Sequence, residues 1–183
     1  MNNILHEILT NLPSNYTAET EAELVSKIIF AKLADFNADV ADLLAFAISE
    51  RYNKLAKAIL EKDYQGKYLD LQNINQSIIN QSQEKYSLLH FTAQFGNEEM
   101  FLYFLEHGIK ITSDKDNLSP IHVLAFAKNL NKKAYLNIIE KINLIDPELI
   151  NQKDNSGLTA LHYAAHEDNG LLMSVLLEMG AKR

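Results

Sequence analysis

Hydrophobic residues along this chain fall into short helical clusters separated by polar turns. Ile4, Leu5, Ile8, Leu9 and Leu12 recur at helical spacing and stop before Pro13. After a turn over 14–20, Thr20-Glu21-Ala22-Glu23 has the form of a capping box. The helix it opens runs to about Asp35 with Leu24, Ile28, Leu33 and either Val25 or Ile29 as its apolar stripe. From residue 41 onward the clusters come as pairs. Each pair is a short, small-residue first helix, a polar break and a second helix rich in large aliphatics.

The clearest pair lies between Asp154 and Gly180. Asn155, Ser156 and Gly157 give a turn, Thr159 can cap a helix, His162 follows, and Asp168-Asn169-Gly170 breaks the helix before Leu171–Leu177. The same order recurs upstream. Ser87-Leu88-Leu89-His90 and Ser119-Pro120-Ile121-His122 each place a histidine three positions after a hydroxyl residue, as Thr159 and His162 do. A fainter copy lies at 41–63, where Leu43–Ile48 aligns with Leu88–Ala93 and Ala58–Glu61 with Tyr103–Glu106. There Ala45 replaces the histidine and Asp63 the closing glycine.

The stretch from Asp154 to Ala181 resembles an ankyrin repeat, whose hallmark is Thr-Pro-Leu-His-x-Ala-Ala and then Leu-Leu-x-x-Gly-Ala. The match has no gaps: Thr159, Leu161, His162, Ala164, Ala165, Leu176, Leu177, Gly180 and Ala181 are in place, and Ala160 stands where the family has Pro. The resemblance implies an all-α ankyrin-repeat solenoid of helix-turn-helix units joined by β-turn fingers. Residues 1–40 would be N-terminal capping helices, and 41–81 a degenerate first repeat with a long connection. Residues 82–113 would form a second repeat, 114–153 a third with insertions, and 154–183 a fourth. The connection at 64–81 admits an Ω-like excursion or an extra helix. From Ala45 the motif positions are spaced 45, 32 and 40 residues apart, with the excess in turns and fingers, where insertions cost little. The last helix pair would bare an apolar lateral face carrying some of Leu172, Met173 and Leu176. A solenoid needs such a face covered, so the array is expected to continue past Arg183 or to be capped by a partner.

Composition narrows the function. Net charge is −7, with −4 in residues 1–40, balance in 41–81 and −3 in 82–183. Only Arg51 and Arg183 are arginines, so bidentate phosphate or base readout is nearly absent and nucleic acid is a poor partner. No apolar run approaches the ~18 residues of a membrane span, and Met1–Asn15 lacks the basic start of a secretory signal. Zero cysteines exclude disulfides and thiolate-bound zinc. Fifteen lysines, 18 asparagines and 17 isoleucines against two arginines fit an AT-rich genome.

No nucleophile elbow, phosphate loop or zincin motif occurs, and no catalytic residue or cofactor is expected. His90, His122 and His162 look like an aligned catalytic or metal series. The resemblance makes them structural instead, each bonding its hydroxyl partner and a neighbouring finger. His162 and His166 stand at i and i+4 but lack a third ligand at fixed spacing. Asp114-Lys115-Asp116-Asn117 lacks the glycine and distal glutamate of a calcium loop and reads as a finger tip. Leu12-Pro13 departs in spacing from an F-box start.

What remains is a recognition surface. By resemblance, partner-binding residues are Gln83, Glu84 and Tyr86, Lys115, Asp116 and Leu118, and Asn155, Ser156 and Leu158 on the fingers. On the first helices they are Gln94 and Phe95, Phe126, and His166 and Glu167. Phe95 and Phe126 are large aromatics where polar groups are usual, as binding anchors or as packing, Phe126 then lying under an insertion at 128–133. Tyr86, Leu118 and Leu158 share one finger position and could instead pack on one another.

The expected function is a non-catalytic protein-interaction module, monomeric and cytoplasmic, binding a partner protein through its concave groove. The resemblance, with the AT-rich composition and the irregular repeats, implies a bacterial ankyrin effector, translocated to act on host proteins. The alternative is the targeting or regulatory part of a longer enzyme whose catalytic domain lies beyond Arg183. A third reading is self-association through the last repeat.

Overall fold

A computed structural model of the chain describes residues 40–62, 87–127 and 129–182. The capping helices expected over 1–40, all but Val40, and the connection at 64–81 lie outside these residues. The chain divides into two compact units, 1–78 and 79–183.

Within the first unit, α1 (Val40–Ser49) and α2 (Asn53–Lys62) form a helix pair. Arg51, at φ 62°, turns the chain between them, and its amide donates to the Ile48 carbonyl at 3.2 Å. Leu44, Ala47, Ile48, Leu55, Ala56 and Ile59 on these helices are fully buried. The ring of Phe46 meets Tyr52 edge-on at 5.6 Å.

Among its described residues the second unit holds three helix pairs. They are α3 (Leu88–Gln94) with α4 (Glu98–Glu106), α5 (Pro120–Val123) with α6 (Lys132–Ile145), and α7 (Ala160–His166) with α8 (Gly170–Glu178). All described elements are helices. Each second helix starts on an asparagine whose side-chain carbonyl accepts an amide of the first turn: Asn97 from Met100, Asn131 from Ala134, Asn169 from Leu172. The first helices are short because small residues and an early break let neighbouring pairs stack closely. Leu88, Leu89, Ala93, Ile121, Leu124, Ala160 and Ala164 are buried at their contacts. Phe101, Phe104, Tyr135, Ile138, Ile139, Leu172, Val175 and Leu176 fill the layer between second helices. Each large side chain withdrawn from water this way contributes about 1.5–3 kcal/mol.

The middle pair departs from its neighbours where the sequence is longer. Nine residues separate His122 from Asn131, against seven between His90 and Asn97 and between His162 and Asn169. The extra length ends α5 after one turn and tightens Leu124–Phe126 into a 3-10 turn. It also brings the Ala127 carbonyl onto the Tyr135 hydroxyl at 2.5 Å. Beyond α6 a second 3-10 turn, Pro147–Asn151, opens with the Asp146 carboxylate accepting the Glu148 amide at 3.0 Å.

Candidate functional site: fingers and first helices

The fingers at 114–118 and 154–158 are built alike. Asp114 and Asp154 each turn one carboxylate oxygen onto two amides, those of Asp116 and Leu118 at 2.9 Å and those of Ser156 and Leu158 at 2.8 Å. The amides of Asp114 and Asp154 close the loops on the Leu118 and Leu158 carbonyls at 2.9 Å. Each tip needs one left-handed residue, Gly157 at φ 80° in one and Asn117 at φ 61° in the other. Asparagine tolerates that conformation, and its side chain here has a second use. The Asn117 amide donates to the Lys153 carbonyl at 2.8 Å, while the Asn155 backbone and side chain donate to Asp116 at 3.0 Å and Lys115 at 3.2 Å. The two fingers are thereby laced tip to tip. Lys115, Asp116, Asn155 and Ser156 come together at an exposed edge.

Behind the fingers the motif histidines form a ladder. At His90, Nδ1 accepts the Ser87 amide at 3.0 Å and the Ser87 hydroxyl at 2.7 Å. A ring nitrogen that accepts an amide carries no proton, so Nε2 is the donor, and it meets the Leu118 carbonyl of the next finger at 2.9 Å. His122 repeats this with Ser119 and the Gln152 carbonyl, at 3.1, 3.0 and 3.0 Å. Helix capping follows the sequence expectation: Ser87, Ser119 and Thr159 each form a capping box with the histidine three positions on, whose imidazole accepts the cap residue's amide in the place a glutamate fills in a standard box. Burial, the largest influence, lowers the pKa of His90 and of His122, against the opposing pull of the Leu118 and Gln152 carbonyls and of Asp114 and Asp154. Both rings are therefore neutral, structural connectors.

His162 engages Thr159 in the same way, at 3.2 Å from the amide and 2.7 Å from the hydroxyl. Its own Nε2 meets no acceptor among the described residues. His166 pairs with its neighbour Glu167 at 2.9 Å and is largely exposed. Among the described residues no group of three or more histidines and carboxylates is placed to hold a metal ion. Nor is any described helix long and apolar enough to cross a membrane.

Two aromatic pairs lie along the first helices. Phe95 stacks obliquely on Phe91 at 4.8 Å, and Phe126 meets Tyr163 of the next pair edge-on at 6.1 Å. Phe95 and Phe126 each keep 39% of their surface in water. Each packs against an aromatic neighbour and stays partly open to water. Phe126 rests on Tyr163 across the interface between repeats. Gln94 is exposed, Leu158 is 39% exposed and Leu118 is half-buried. Gln83, Glu84 and Tyr86 lie outside the described residues.

Tyr163 and Asp154 are the residues that sequence reasoning passed over. The Tyr163 hydroxyl donates to the second Asp154 oxygen at 2.7 Å, and its ring stands edge-on to His122 at 5.7 Å. It thus ties the base of the last finger to the Phe126 side of the first helices. Burial and the facing carboxylate push its pKa up to about 12. Burial works to raise the Asp154 carboxyl, but the hydrogen bonds from Tyr163, Leu158 and Ser156 prevail and hold it below the ordinary range. A signal was present in the chain: aspartate begins both fingers, four residues before Leu118 and Leu158.

Residues 156–183 match the family model described as Ankyrin repeat. The chain is 26% identical over 121 residues to the human protein "Transient receptor potential cation channel subfamily A member 1", an alignment covering 66% of this chain and 10% of that protein. It is 29% identical over 102 residues to "Phosphocholine transferase AnkX" of Legionella pneumophila, covering 55% of this chain and 10% of that protein. The chain thus spans about a tenth of the length of these curated relatives. Repeats of this family are protein-interaction modules. The motif match over 156–183, the paired helices and the finger-to-histidine ladder together give the described residues of the second unit the ankyrin-repeat fold.

Proposed function

We propose that the chain is a non-catalytic recognition module that binds a partner protein along its fingers and the open edge of its first helices. The observation carrying this reading is the pair of half-exposed rings, Phe95 and Phe126, each braced by a second aromatic. Rigid aromatics held half in water are favoured anchors of binding energy. Lys115, Asp116, Leu118, Asn155, Ser156 and Leu158 supply the finger side of the surface, and Gln94, His166 and Glu167 its helix side. Gln83, Glu84 and Tyr86 would extend it to the preceding finger. The similarity to AnkX and the Lys-, Asn- and Ile-rich composition favour a bacterial effector acting on host proteins, monomeric and working in the cytoplasm of a host cell. Capture from host lysate with wild-type chain, and loss of the captured protein with the Phe95→Ala/Phe126→Ala double variant at unchanged circular dichroism, tests it. Equal capture by both chains would sink the idea.

A second reading rests on the small share of each relative that is covered. The chain would then be the targeting portion of a longer enzyme. A catalytic domain encoded in frame after Arg183 supports this reading, and a stop codon there removes it.

A further inference from the structure

Gly170 opens α8 where nothing in the structure calls for a glycine. Its φ is not left-handed, and a Cβ there would enter open space. The same first-turn position is Glu98 in α4 and Lys132 in α6, after the capping asparagines Asn97 and Asn131. What glycine does change is chemical. Without a side chain at 170, the exposed backbone nitrogen after Asn169 is free to approach the Asn169 side-chain carbon, an approach that Glu98 and Lys132 hinder at the other two caps. That nitrogen also lies in the first turn, where an amide has no acceptor in its own helix.

The folded chain holds the two atoms apart. At the Asn169 ψ of 73°, Cβ stands almost opposite the Gly170 nitrogen about the Cα–C bond, so a five-membered ring cannot close. The side chain is pinned as well. Its Oδ1 caps the Leu172 amide at 3.1 Å, and its Nδ2 serves Tyr135, Ala125 and Ala127 at 2.8, 3.1 and 3.3 Å. Attack therefore waits on a local opening at the start of α8, an excursion that native chains make at less cost than global unfolding.

We propose that Asn169–Gly170 is a self-deamidation site that acts as a one-way latch on the contact between α8 and the turn at 124–127. In the opened state the Gly170 nitrogen bonds to Asn169 Cγ. The Cγ–Nδ2 bond breaks, and ammonia leaves with the proton that the Gly170 nitrogen carried. Water then opens the succinimide at either carbonyl, giving aspartate or isoaspartate. Aspartate still caps a helix, so the loss falls on the donor side. A carboxylate has no proton for the carbonyls of the buried Ala125 and Ala127, and it sets an acceptor against them. Isoaspartate also adds a methylene to the backbone at the cap. Neither product restores the closed contact.

Ageing the chain in mildly alkaline buffer, with and without denaturing urea, and mapping its peptides by mass spectrometry tests this. Asn169 should convert to aspartate and isoaspartate while Asn97 and Asn131 keep their amides. Conversion should run about tenfold faster or more in urea, where the start of α8 is open. Chain converted in urea and returned to buffer should unfold at lower urea than fresh chain and exchange its α8 amides faster. Gly170→Glu should suppress conversion at 169 under both conditions without lowering the urea midpoint. Equal rates with and without urea overturn the proposal, because the folded geometry would then guard nothing. An Asn169 that stays intact through ageing overturns it too, and so does a converted chain with the urea midpoint of the fresh one.

Discussion

The Asn169 side chain donates to the Tyr135 hydroxyl at 2.8 Å, and that hydroxyl donates to the Ala127 carbonyl at 2.5 Å. Asn169 also reaches the Ala125 and Ala127 carbonyls at 3.1 and 3.3 Å, while its own carbonyl caps α8. One asparagine thus satisfies the backbone of the shortened α5 turn and starts the helix of the next repeat. Tyr135→Phe should cost about 0.5–1.5 kcal/mol, the net worth of a hydrogen bond, because Asn169 still reaches the Ala127 carbonyl. Asn169→Ala should cost at least as much, and a double-mutant cycle in urea should show coupling of about 0.5–3 kcal/mol. Strict additivity would mean that the two residues act separately.

Acid should loosen the histidine ladder. With folded-state pKa values below the unfolded 6.5, His90 and His122 bind fewer protons in the native chain than in the unfolded one. Their contribution to stability is complete above about pH 6.5 and shrinks as pH falls through the depressed folded values, by at most about 1.4 kcal/mol per pH unit for each ring. Urea midpoints from pH 7.5 down to pH 5 should fall, and His90→Gln and His122→Gln should each flatten the slope. A wild-type profile that is level over this range would contradict the assignment of both rings as neutral.

The Tyr163–Asp154 bond makes a prediction at the other end of the scale. Held near 12 against an ordinary 10.0, the Tyr163 phenol keeps its proton in the folded chain where an unfolded one has begun to lose it. The stabilisation is complete below about pH 10 and is lost as pH rises through about 12. Absorbance titration of Asp154→Asn should show one tyrosine ionising closer to its ordinary value. No change in the tyrosine titration would mean the pair does not persist in solution.

Core and surface aromatics should separate in a stability series. Phe101→Ala, fully buried, should cost about 3–5 kcal/mol. Phe95→Ala and Phe126→Ala should each cost about 0.5–1.5 kcal/mol, the scale of one aromatic pair, and leave the fold intact. Thermal melts of the three variants check the order. If Phe95→Ala proves as damaging as Phe101→Ala, its ring serves the core.

Much of this was legible in the chain because repeats print their local chemistry several times. The Ser/Thr-to-His spacing of three, the asparagine before each second helix of the second unit and the aspartate that begins the fingers at 114 and 154 are local rules, set by capping and turn geometry. Comparing three copies also located the lengthening between His122 and Asn131. The half-exposed state of Phe95 and Phe126 was not legible, since the same ring at the same register can anchor a partner or fill a gap. Only the structure shows Phe91 and Tyr163 packed beside these two rings, each of which leaves 39% of its surface in water.

The sequence by itself determined the helix pairs, their caps and the identity of the ladder histidines, because those depend on contacts within a few residues. The tertiary structure decided what each motif faces. It brought Tyr163 onto Asp154 nine residues away and His122 onto Gln152 30 residues away. It also set Asn169 against Tyr135 34 residues back. The reason is physical: equivalent positions carry the same signature in every copy, but burial and hydrogen-bond partners come from the neighbouring copy. His162 has the signature of His90 and His122 in full, and only the packed structure shows that its outward nitrogen differs from theirs.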